Sequence, residues 1–207
     1  MKYEAKNYDG LLGTPGFSEK LLKDHFELYK GYVKNVNTVY DTLNEFFRKK
    51  KTGSPEYNEV RRRFGWEFNG MRLHELYFGN LSKKGSPLDP ESDLLRKMTE
   101  EFGSYKQWEQ DFKDVAALRG IGWVILYYDQ AADLLLNCWI NEHDLGHLAG
   151  ASPILVLDVF EHAYISDYGV KKDGYISAFF QALAWNEADA RFDQAISKQA
   201  ELAGAAR

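Results

Sequence analysis

Cysteine is nearly missing from this chain: Cys138 is the one thiol in 207 residues. A single thiol makes no internal disulfide and no thiolate metal cluster, so a reducing cytoplasm is the expected compartment. Long apolar runs are missing as well. No stretch approaches the ~20 residues that span a bilayer, and 28% of the residues are charged, which excludes a membrane-spanning role. The opening MKYEAKNYDG has neither the apolar core of a signal peptide nor the acid-poor, arginine-rich character of a transit peptide. A basic surplus is absent too: 26 Lys+Arg face 31 Asp+Glu, for a net charge of −5. Without that surplus nothing draws nucleic-acid phosphates. Histidine is scarce, at five. Aromatic residues, by contrast, reach 15%, and the length suits one or two ordinary domains with a sizeable core.

From Ser18 to Lys50 apolar residues recur at helical spacing (Leu21, Leu22, His25, Phe26, Tyr29, Tyr32, Val33, Val36), with Ser18 as N-cap. KKKTGSPEYNE then reads as a solvated turn, and a second helix is predicted from about Pro55 to Leu81 with Met71, His74 and Phe78 on one face. Two long helices joined by one turn make an antiparallel hairpin. KKGSPLDPESD marks the clearest boundary, giving an N-terminal helical domain over 1–87 and a second domain over 88–207. There Asp89-Pro90-Glu91 has the order of cap, first-turn proline and first-turn acid. Helices are predicted over about 90–102 and 104–118, broken at Gly103. The period then changes: GWVILYYDQAADLLLNCWI reads as a β-hairpin and ILVLDVF as a third strand, apolar on both faces and so inside a covered sheet. The segment from Gly174 to Ala203 is helical again, and the tail AELAGAAR is expected to fray. The predicted class is α+β: a helical hairpin, then an α/β domain with a three-stranded antiparallel sheet.

Asp158 and His162, in LDVFEHAY, stand four apart and so share a face. An aspartate ending a buried apolar strand is costly unless a cation or a partner compensates it. A plain Asp–His hydrogen bond orienting a turn explains that pair by itself. His25 and His74 shift the balance, because each lies on the apolar face of one helix of the hairpin. Three imidazoles and one carboxylate, with no thiolate, suit Fe, Mn or Zn. Other constellations are missing. None of the five histidines follows a Glu by three residues, as a di-iron bundle requires. No G-x-S-x-G is present, and the glycines of GIGW lack the Lys-Ser/Thr of a phosphate loop.

DVFEHAY, at 158–164, resembles the D-V-W-E-H-A-Y signature of the iron/manganese superoxide dismutase family. DHFELYKGYVKNVN and FNGMRLHELYF are similar to its two helical ligand segments, GIGW to its glycine-flanked tryptophan, and DYGVKKDGY to the stretch after the signature. The order matches along nearly the whole chain. The resemblance implies one Fe or Mn ion per subunit, ligated by His25, His74, Asp158 and His162 with solvent as fifth ligand. It implies a gateway role for Tyr32, a pocket-wall role for Trp123, and a hydrogen bond from His143 to the metal-bound solvent. Glu161 would reach the partner subunit's ligand histidine across a homodimer or tetramer interface, with Tyr164 nearby. The implied activity is dismutation of superoxide to oxygen and hydrogen peroxide. A metal-binding homologue without turnover and a mononuclear zinc hydrolase are the alternatives; the second lacks a spare acid beside the ligands.

The chain also departs from the family pattern. Phe160 stands for the signature Trp, Ile121 for a Ser, and Lys172 for an arginine near the pocket mouth, where it is the candidate funnel cation. Gly70 occupies the place of a glutamine, and Leu28 and Tyr29 replace a histidine pair. Tyr32 follows His25 by seven residues, where the family uses eight. Seven steps of 100° return to within ~20° of the starting face, whereas eight overshoot by ~80° and call for a π-bulge. A regular first helix is therefore predicted. Tyr29 is expected in the core, and His147 receives no role.

Overall fold

The computed structural model describes residues 2–205, and the side chains through Lys198. After a short 3-10 turn at Asp9–Leu11, α1 (Glu19–Arg48) and α2 (Pro55–Gly79) pack as the antiparallel hairpin. Ser18 and Ser54 accept from the backbone N–H three residues on, and Pro55 fills the first turn, where a missing N–H costs nothing. α1 is regular throughout, with no π turn, as the seven-residue spacing requires. Its buried face runs Leu22, His25, Phe26, Tyr29, Val33 and Val36.

α3 (Asp93–Phe102) and α4 (Tyr105–Ala117) follow, separated by Gly103 in the left-handed region. The cap of α3 is Ser92 rather than Asp89, so the helix starts later than the sequence suggests. Asp89 instead accepts from the N–H of Glu91 in a local turn that keeps Pro90 outside the helix. The sheet has the order β2-β1-β3, all antiparallel, with β1 (Gly122–Asp129) central, β2 (Leu134–Asn141) its hairpin partner and β3 (Ser152–Asp158) on the other side. Gly122 has φ +147°, and a Cβ there would sit 2.0 Å from the Ile140 carbonyl oxygen, so only glycine lets the hairpin close. β3 stops at Asp158, two residues short of the predicted strand, because Phe160 turns the chain into a 3-10 turn at Glu161–Ala163. β3 is a sheet edge, yet its core is buried. The Asn80 amide donates to Val156 O (2.6 Å) and Arg191 to Ile154 O (3.2 Å), covering the free edge.

The last helical stretch is broken. α5 (Ile165–Tyr168) and α6 (Lys172–Ala182) precede α7 (Trp185–Ala205). Between α6 and α7, Leu183 and Ala184 leave the helix to bond the segment after α2: Ser86 N–H to Leu183 O and Ala184 N–H to Asn80 O, both 2.7 Å. Tertiary hydrogen bonds overrule helix propensity there. The tail expected to fray is helical as far as Ala205, in keeping with its Ala-, Glu- and Leu-rich composition, and its last two residues lie outside the described ones. One core joins hairpin and sheet, with Trp108, Trp123, Tyr77 and Phe78 among its fully buried members. Among the described residues no helix is long and apolar enough to cross a membrane.

Candidate metal centre

Four segments converge at one end of the sheet. α1 brings His25, α2 brings His74, Asp158 closes β3, and His162 sits in the 3-10 turn that follows. One ligand atom from each lies within 4.8 Å of all the others, and only His162 is partly exposed. The Asp158–His162 pair is thus shared between a strand end and a turn. The Asp158 carboxylate organises the group: Oδ1 accepts from the Phe160 N–H (2.8 Å), which forms the turn, while Oδ2 faces Nε2 of His25 (3.2 Å), His162 (3.2 Å) and His74 (3.6 Å).

The protonation states follow from the partners. His74 Nδ1–H donates to the Gly70 carbonyl (2.5 Å), which leaves Nε2 as a bare lone pair turned into the cage. That atom is fully buried with no hydrogen-bond partner, an expense that a cation would remove. Burial lowers the pKa of His25 despite Asp158 beside it, and lowers that of His74 further, with His25 adding to the effect. Burial pushes Asp158 upward, but the imidazoles of His162 and His25 outweigh it and hold the carboxyl well below the usual range. Burial thus keeps the His25 and His74 imidazoles in their neutral, ligating form, while Asp158 stays ionised. With no sulfur donor the set fits Fe or Mn.

Tyr32 and His143 lie beside the cage. Tyr32 packs on His74 (ring centroids 5.2 Å) and bonds His143 Nε2 at 2.6 Å. Trp123, from β1, donates its indole N–H to His143 Nδ1 at 3.1 Å. An indole only donates, so Nδ1 is the acceptor, Nε2 carries the hydrogen, and His143 donates to the Tyr32 oxygen. Burial, chiefly, lowers the His143 pKa to about 4 and raises that of Tyr32 to about 12, in the second case with the Asp158 charge adding to it. Phe160 stacks between His143 (4.7 Å) and His162 (5.2 Å), filling the wall that the signature Trp would occupy. Gly70 is explained as well: a Cβ there would lie 2.5 Å from the Tyr32 ring, so no glutamine fits.

The remaining candidates are placed as follows. Glu161 is exposed beside His162, and Tyr164 is buried against Tyr175. Tyr29 is a core residue, its hydroxyl donating to Glu75. Lys172 is engaged elsewhere, donating to the Leu118 carbonyl and lying over the Trp139 ring. The cation whose field reaches Tyr32 and His143 is Arg63, which stacks over Trp66 (4.9 Å) and bonds Glu67 (2.7 Å). Trp66 in turn lies 4.6 Å from the His143 ring. Sequence reading missed all three, although Glu67 precedes His74 by seven residues and so shares its helix face.

Comparison with known proteins agrees with this geometry. Residues 90–191 match the model of the C-terminal domain of iron/manganese superoxide dismutases. Superoxide dismutase (Mn) 2 of Haloferax volcanii is 37% identical over 95% of this chain and 98% of its own. The superoxide dismutase (Fe) of Cupriavidus metallidurans is 38% identical over 87% and 91%, and that of Aquifex pyrophilus 33% over 94% and 93%. With a third or more of its residues identical to these proteins over nearly the whole length of each, the chain belongs to the iron/manganese superoxide dismutase family.

Proposed function

We propose that this chain dismutates superoxide through one Fe or Mn ion per subunit, held by His25, His74, Asp158 and His162. The observation that carries this is the enclosed cage itself, whose buried His74 lone pair has no protein donor. Held by these four residues, the ion would supply the one-electron redox chemistry by which two superoxides and two protons become oxygen and hydrogen peroxide.

The chain's own residues do the rest. Asp158 is the one charged ligand, so the loaded cage stays positive and attracts an anion despite the net charge of −5. His143, neutral through burial, holds the Tyr32 oxygen with its N–H and leaves the phenolic hydrogen for the substrate side. It then stabilises the phenolate until solvent restores the proton. Trp123 keeps His143 in the donating tautomer, and Phe160 and Trp123 shield the cage from bulk water.

Metal analysis and a superoxide-consumption assay on one preparation test the reading. Close to one Fe or Mn per chain with rapid consumption is expected. A full metal complement without consumption would make it a binding protein, and zinc alone would revive the hydrolase.

The same reading includes a homodimer joined near Glu161, whose exposure beside His162 suits a link to the partner's cage. It also includes a cytoplasmic location, which the lone half-buried Cys138 suits. Residues 1–87 and 88–207 act as two domains that each contribute two ligands.

A further inference from the structure

His143 is held by its ring, but its backbone belongs to the irregular segment between β2 and β3. That segment contains Glu142 at φ +52°, Gly146 at +99° and Gly150 at +88°, and only the Asn141–Leu145 bridge gives it regular pairing. A catalytic side chain on such a loop needs its backbone fixed from outside. The fifth histidine, to which neither the sequence nor the mechanism gives a role, meets that need. His147 Nε2 lies 2.9 Å from the His143 carbonyl oxygen, and Nδ1 lies 2.7 Å from the Tyr127 hydroxyl. A carbonyl only accepts, so Nε2 carries the hydrogen, and in that tautomer of the imidazole Nδ1 is the acceptor for the Tyr127 hydroxyl. Tyr127 is 3% exposed on the central strand, four residues after Trp123. β1 thus grips His143 twice, at the ring through Trp123 and at the backbone through Tyr127 and His147.

We infer that His147 is a positioning residue, which sets the depth and angle of the His143 ring over Tyr32 by tying the His143 carbonyl to the rigid strand β1. The inference rests on the reading that His143 serves turnover through Tyr32. A displacement of about 1 Å at such a donor can cost ~100-fold, so loss of the bridge should be felt without any change in the ligands.

The test compares His147→Ala, His147→Gln, Tyr127→Phe and His143→Ala as metal-loaded proteins, by turnover, metal content, melting temperature and the reduction potential of the bound metal. A glutamine amide also offers one donor and one acceptor. His147→Ala should lower kcat about 10-fold and shift the potential, with metal content unchanged. His147→Gln should restore turnover and potential, and Tyr127→Phe should fall between. Wild-type turnover and potential in His147→Ala, or equal impairment of the Ala and Gln variants, would overturn the inference. If His147→Ala fails to fold, the Gln and Phe variants decide alone: wild-type behaviour of Tyr127→Phe, or an impaired Gln variant, overturns it. His143→Ala separates the two readings. Full turnover there removes the role of His143 and with it that of His147. An impaired His143→Ala beside a normal His147→Ala removes only the second.

Discussion

Asp158 has no solvent exposure, bonds the backbone that turns the chain, and faces three imidazoles at once. Asp158→Ala should therefore abolish stoichiometric Fe or Mn binding and lower the melting temperature, since the turn loses its acceptor and the cage its one charge. A variant purified with full metal and wild-type activity would place the site elsewhere. At His143 the expected cost is catalytic first. His143→Ala should keep its metal and lose at least about 10-fold in turnover. The structure adds a stability cost of roughly 1–3 kcal/mol, because Trp123 and Tyr32 both lose a buried partner. His143→Gln, which can satisfy both, should recover most of each. Denaturant melts beside stopped-flow turnover separate the two effects.

The elements explain why the site residues stand where they do. α1 carries His25 and Tyr32 on one face because it has no bulge, and α2 answers with a glycine where the tyrosine ring presses against it. Gly70→Ala gains helix propensity, yet its Cβ would collide with that ring. The collision should win, with a net destabilisation of about 1–3 kcal/mol and a displaced Tyr32. Equal or greater stability in a thermal melt would show that the ring yields freely. Both helices and the β-hairpin were legible from period and caps alone. The early end of β3 and the break between α6 and α7 were not, since each is imposed by partners distant in sequence: the Asp158 side chain in one case and the chain after α2 in the other.

Across the whole molecule, acid should dismantle the fold by a route the buried histidines set. His143 has a folded pKa of about 4 against an ordinary value of 6.5, and His25 and His74 are shifted in the same direction. The unfolded chain binds these protons below pH ~6.5 while the folded chain refuses them, so stability is full above that pH and falls as pH drops toward 4. For His143 alone the loss approaches ~3 kcal/mol. Urea melts of the metal-free protein should show the midpoint falling across this window; a flat profile would mean that these rings are solvated. Glu161→Ala tests the proposed dimer, and is expected to weaken association and metal retention together. Sedimentation showing an unchanged, fully metallated dimer would overturn it.

The sequence by itself determined the class of fold, because that depends on local periodicity, and its motifs carried the family resemblance that named the candidate quartet. It also determined the regular course of α1, since the angle between His25 and Tyr32 is fixed by counting residues. Only the tertiary structure decided which groups complete the site. Arg63, rather than Lys172, projects its field on Tyr32 and His143 because α2 lies against the pocket while Lys172 is tied to Leu118. The tautomer of His143 is set by Trp123, twenty residues before it, and its carbonyl is held by His147. Hydrogen-bond direction and electrostatic reach depend on distances in space, and those distances exist only once the sheet and the hairpin have closed on one another.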